Sequence, residues 1–191
     1  MDCIHVEEKL GVLEVKKRQS TAVKTIVSRC VESSSDVDIR NFGLMELPDD
    51  IFMLVQSKKI LRFAASQNYL TTIPFNISAF INLTTLDVSF NRLSTLPREL
   101  NQCKKLASVD ISTNNFVDVP NVLLEIQTIT NINAKGNFIA EVDENKIEKL
   151  HEINLENNPL SNKCRGRLLT SLNVHVILSE KRLEDWEDLT I

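Results

Sequence analysis

The chain has 191 residues, 42% of them hydrophobic and 25% charged, with a formal net charge of -4. That balance suits a folded globular or repeat protein and argues against a dedicated nucleic-acid binder, whose footprint is a basic excess. No stretch approaches the roughly 18 apolar residues of a membrane-spanning helix, and the 4 glycines and 3 histidines fit neither a phosphate-cradling loop nor HExxH.

In chain order, residues 1–35 are expected to form an N-terminal helical cap. Val6, Leu10, Leu13, Val23, Ile26, Val27, Cys30 and Val31 recur at helical spacing between charged residues. The opening MDCIHVEEKLGV lacks a basic segment followed by a long apolar run, so export is not expected. A cytoplasmic location, with the nucleus as an option, follows. Cys3, Cys30, Cys103 and Cys164 contain no CxxC pair and are expected as free thiols, with no metal and no cofactor.

Residues 36–161 are organised by asparagine. The chain carries 18 of them, and Asn68, Asn91, Asn114, Asn137 and Asn158 are spaced 23, 23, 23 and 21 residues apart. Apolar residues fall at constant offsets around each. The clearest copy is Leu83, Leu86, Val88, Asn91, Leu93, Leu96, Pro97 and Leu100. Copies centred on Asn68 and Asn114 keep every offset, those on Asn137 and Asn158 decay, and an earlier one has Phe42 in the Asn slot and Pro48 after Leu47. The pattern LxxLxLxxNxL followed by xxLP is that of a leucine-rich repeat, present here six times. LxL alternates with period two, so each copy predicts a short strand with one buried face, centred near residues 38, 64, 87, 110, 133 and 154. One such strand cannot bury its face alone; stacked copies build a continuous core under a curved parallel sheet, with short helices or loops on the outer side. An asparagine amide both donates and accepts, so the recurrent Asn is expected to satisfy buried backbone of its own and a neighbouring turn. Residues 162–191 are expected to form a C-terminal cap. In it NVHVIL at 173–178 alternates like a further strand, and a short acidic helix carries Leu183, Trp186 and Leu189.

The motif resembles the typical leucine-rich-repeat class of intracellular proteins over about residues 37–160. The resemblance implies an α/β solenoid of poorly defined role and brings no catalytic residues. Function in such a scaffold lies in side chains that the fold does not need. On the inner face these form three columns. The middle one reads Asp38, Ala64, Asp87, Asp110, Asn133 and Asn154; before it stand Asp36, Arg62, Thr85, Ser108, Asn131 and Glu152; after it, Arg40, Ser66, Ser89, Ser112, Lys135 and Glu156. The expected surface is polar and hydroxyl-rich, with an exposed acidic centre at Asp87 and Asp110 flanked by Arg40, Arg62 and Lys135. Phe90 is the one bulky apolar residue on its rim, either an exposed anchor or packing between turns. No nucleophile, metal set or apolar pocket accompanies the acidic pair, so the expectation is a non-enzymatic module that binds a protein partner through its concave face, neither a nucleic-acid binder nor an enzyme. The alternative is a structural or regulatory subunit that docks through its caps or convex side. Such a subunit should expose a contiguous apolar patch. The small basic cluster Lys163, Arg165 and Arg167 is expected to be a solvated face.

Overall fold

The computed structural model describes residues 35–47, 51–52, 59–170 and 174–180. Seven three-residue strands form one parallel sheet in chain order: β1 (Asp36–Asp38), β2 (Arg62–Ala64), β3 (Thr85–Asp87), β4 (Ser108–Asp110), β5 (Asn131–Asn133), β6 (Glu152–Asn154) and β7 (His175–Ile177). The six expected strands are present, each centred one residue earlier than the middle column. The seventh, which the sequence places in the C-terminal cap, joins the same sheet in register, His175 beside Glu152. Register holds throughout, so Asp36, Arg62, Thr85, Ser108, Asn131, Glu152 and His175 share one row across the sheet. The expected helices of the N-terminal cap, the acidic helix with Trp186, and Cys3 and Cys30 lie outside the described residues.

Why so short a strand suffices follows from the burial. The middle residue of β1 to β6 points inward (Val37, Phe63, Leu86, Val109, Ile132 and Ile153), and all six are at most 2% exposed. Two residues on, Ile39, Ala65, Val88, Ile111, Ala134 and Leu155 are equally buried, and Leu70, Leu93, Phe116 and Ile139 close the far side. These form one continuous cluster, with each turn covering its neighbour. Three rings thicken it near the N-terminal end: Phe52, Phe63 and Phe80, with centroids 5.3 to 6.4 Å apart.

On the return side, Pro74 and Pro97 lead into single 3₁₀ turns, Phe75–Ala79 and Arg98–Gln102, and Pro120 leads into α1 (Asn121–Glu125). Proline suits a helix entrance because the missing N–H would lack an intrahelical partner anyway. The fifth turn has lost its Leu-Pro. There Asp143 accepts a hydrogen bond from the Asn145 N–H at 3.1 Å and starts α2 (Glu144–Ile147). Lys149 donates to the carbonyls of Leu124 and Ile126, the latter at 2.6 Å, so a cation closes the end of α1; partial burial lowers its pKa. After β6, α3 (Asn162–Thr170) buries Cys164 and Leu168. Cys103 and Cys164 are free and buried, and burial pushes the Cys103 thiol up to about 11.

Candidate functional site

Each of β1 to β6 is followed by a residue that reverses the chain. These are Asn41, Gln67, Phe90, Thr113 and Asn157, with φ between +52° and +58°, and Gly136 at φ +68°. All six occupy the slot just before the Asn position, so every turn bends through the left-handed region there. Glycine adopts it freely and asparagine readily; a bulky Phe and a β-branched Thr do so at a cost. This column is absent from the sequence reading, because the residue types in it share no property. At Gly136 an added Cβ would stand 3.4 Å from Thr113 Oγ1. Gly136→Ala is therefore expected to cost about 1–2 kcal/mol, read as a lower denaturant midpoint without a change in slope.

The asparagines come next and are buried. Each Oδ1 accepts a backbone N–H from the preceding turn: Leu70 to Asn91 at 3.0 Å, Leu93 to Asn114 at 2.9 Å, Phe116 to Asn137 at 3.1 Å and Ile139 to Asn158 at 3.0 Å. Each Nδ2 donates to a carbonyl of its own turn and to the equivalent carbonyl one turn back; Asn114 reaches Ile111 and Val88. Consecutive asparagines share these carbonyls, so Val88 accepts from both Asn91 and Asn114. At the degenerate first turn Phe42 carries no side-chain amide, and Asn68 Oδ1 accepts from the backbone N–H groups of both Phe42 and Leu44.

The sheet face outside this ladder is more internally bonded than the sequence implies. Asp87 and Asp110 are half-buried, not exposed. Asp87 Oδ1 accepts the Ser89 hydroxyl at 2.7 Å and the Ser89 N–H at 3.0 Å, and Oδ2 accepts the Ser66 hydroxyl at 2.8 Å. Asp110 accepts the Ser112 N–H and Asn133 Nδ2, both at 2.8 Å. Ser66, Ser89 and Ser112, expected to make the surface hydroxyl-rich, are buried at 6% exposure. They lie beyond the ends of three-residue strands, where period-two alternation no longer sets direction, and they fold inward beneath the carboxylates. The flanking cations also differ from expectation. Arg40 flanks the acidic centre, where the Asp87 charge also favours its cation, but it is already committed to a two-pronged pair with Asp38 at 2.6 and 2.9 Å. Lys135 pairs with Glu156 at 2.8 Å; Lys135 and then Asn154 hold the Glu156 carboxyl below the usual range. Asn154 Oδ1 also accepts the Glu156 N–H at 3.0 Å. Arg62 is exposed. Asp87 and Asp110 are nevertheless register neighbours, and no cation among the described residues forms an ion pair with either. The basic cluster near the C-terminus is partly spent, since Arg167 pairs with Glu141 and Glu144 at 3.0 and 3.1 Å.

Phe90 is 53% exposed, so it is not packing between turns. It belongs to a rim that also exposes Met45, Tyr69, Val117 and Phe138. On it the Arg92 guanidinium stacks over the Tyr69 ring, 4.9 Å from the centroid. Among the described residues no group of three His, Cys, Asp or Glu could hold a metal, and no helix is long and apolar enough to cross a membrane.

No family model and no curated protein matches the sequence. Solved structures do match. A leucine-rich-repeat protein of Leptospira interrogans superposes with a TM-score of 0.59 at 23% identity over 70% of this chain. The leucine-rich repeat domain of APL1B gives 0.60 at 19% over 71%. An internalin from Listeria monocytogenes gives 0.55 at 22% over 76%. The chain is folded as a leucine-rich-repeat solenoid. It spans only 34%, 42% and 43% of the length of those three chains. In solenoid terms the sheet is the concave face, the 3₁₀ turns and helices form the convex side, and the left-handed column with the Asn ladder is the rim between them.

Proposed function

We propose that this solenoid is a non-catalytic, protein-binding module of the cytoplasm or nucleus that receives a basic, hydrogen-bonding segment of a protein partner on its concave face. The supporting observation is the acidic pair: Asp87 and Asp110 stand side by side on adjacent strands with no ion-pair partner among the described residues. Half-exposed Thr85, Ser108, Asn131 and Asn133 surround them with donors and acceptors. The remaining candidates, Arg40, Arg62, Lys135 and Asn154, border this centre and set its outer limits. The segments VESSSDVDI at 31–39 and INLENNPLS at 153–161 resemble leucine-rich repeat-containing protein 20, which is consistent with a small intracellular repeat protein.

The test is a double substitution, Asp87→Asn with Asp110→Asn. An amide keeps an acceptor for the Ser89 and Ser112 N–H groups while removing both charges, but weakens the bonds from the Ser66 hydroxyl and Asn133 Nδ2. A cost of about 1–3 kcal/mol is therefore expected, and thermal unfolding checks that the variant stays folded. Capture of the partner from native lysate should fall, and the difference should shrink at high salt because exposed charges are screened. A second reading, permanent docking through the convex side, draws on Phe75 and Ile81, 65% and 62% exposed there. If Phe75→Ser with Ile81→Ser loses the partner while the acid variant retains it, that reading replaces the first.

A further inference from the structure

We infer that Phe90 is the apolar anchor of the interface, and that the partner segment carries an acidic side chain for Arg92 beside the basic one for Asp87 and Asp110. This rests on the reading that a protein segment binds the concave face, and it fixes the order of chemistry along that segment.

Phe90 occupies a slot the fold fills elsewhere with Asn41, Gln67, Thr113, Gly136 and Asn157. The slot requires only the left-handed bend, for which Phe is a poor choice, and 53% of the side chain faces solvent. A costly conformation that leaves more than half of the side chain in solvent points to a use outside folding. Its position suits one. Phe90 follows Ser89, which is held by Asp87, and its N–H donates to the Ser112 carbonyl at 2.9 Å, whose own N–H is held by Asp110. The ring thus stands at the rim end of the acidic pair. On its other side, past the buried Asn91, lies exposed Arg92 over Tyr69. No carboxylate among the described residues pairs with Arg92. From concave centre to rim the surface therefore reads negative, aromatic, positive. The complementary occupant is an extended protein segment that reads basic, apolar, acidic. Tyr and Arg beside a central aromatic are the residue types that dominate binding energy at protein interfaces.

The probe is a phage-displayed library of random linear peptides selected on the full chain. Recovered sequences should combine a basic, an apolar and an acidic residue in that order or its reverse. Phe90→Asn uses the residue that turns one and six already carry in this slot. It should weaken the selected peptide about tenfold or more, with the thermal midpoint unchanged or raised. Arg92→Glu should weaken it as well, and replacing the peptide's acidic residue by Lys should restore binding to that variant. A library that yields no binder, equal affinity for the Phe90→Asn chain, or a midpoint that falls with Phe90→Asn overturns the inference. Loss of binding in the Asp87→Asn, Asp110→Asn chain without loss in Phe90→Asn leaves the concave reading standing and removes the anchor. The reverse pattern keeps the anchor and removes the acidic pair from the site.

Discussion

Asn114→Ala is expected to lower the unfolding free energy by about 3 kcal/mol, measured by urea denaturation. The cost is unevenly distributed among the partners. Val88 and Ile111 carbonyls keep a donor each, from Asn91 and Asn137, and the Ser112 carbonyl keeps the Phe90 N–H. The Leu93 N–H, buried and bonded to Asn114 Oδ1, is left with nothing. One stranded buried donor costs ~1–3 kcal/mol, and the lost carbonyl bonds add roughly 1 kcal/mol each where no water can replace them. Asn114→Asp supplies an acceptor for Leu93 but aims a second oxygen at three carbonyls. The ionised form should be at least as damaging as Ala and the protonated form, which can donate, less so. Because burial beside carbonyls raises the carboxyl's pKa, the variant should lose stability as pH rises. An Asp variant as stable as the parent at neutral pH would show that donation from Nδ2 is not needed, and the ladder would lose its explanation.

The second large effect is expected at Phe63→Ala, at about 3–5 kcal/mol. Phe63 is 1% exposed and sits within 6.4 Å of Phe52 and 5.5 Å of Phe80, ring centre to ring centre. Removing the ring opens a cavity between the other two, and a close-packed core relaxes only partly to fill it. Phe63→Leu keeps most of the volume and should cost less than half as much. If both substitutions prove equally mild, the aromatic trio is not a packing centre, and the N-terminal end of the core relaxes more freely than the geometry implies. Measured beside Asn114→Ala, the two values compare the contributions of packing and of backbone satisfaction to one solenoid.

These two sites also show how far the sequence could be read. Asn114 was recognisable because its physical demand, an amide that gives and accepts, is met by one residue type at a fixed period, so the chemistry and the spacing coincide. The aromatic trio was only partly visible: Phe63 occupies a motif position, whereas Phe52 and Phe80 stand outside the consensus and join it through the third dimension. The left-handed column was hidden altogether, since a backbone angle repeats there while the side chains run through Asn, Gln, Phe, Thr and Gly.

What the sequence by itself determined is the architecture: the period, the parallel stacking, the buried LxL face and the Asn ladder, all consequences of a pattern that only neighbouring turns can satisfy. What the tertiary structure decided is the state of the concave face. Which carboxylates are bonded inward, which cations are already paired, and which aromatic is left in solvent depend on how three-residue strands end. Beyond those ends alternation stops, Ser66, Ser89 and Ser112 turn in beneath Asp87 and Asp110, Arg40 folds back on Asp38, and Phe90 is carried outward by a bend that its own side chain disfavours.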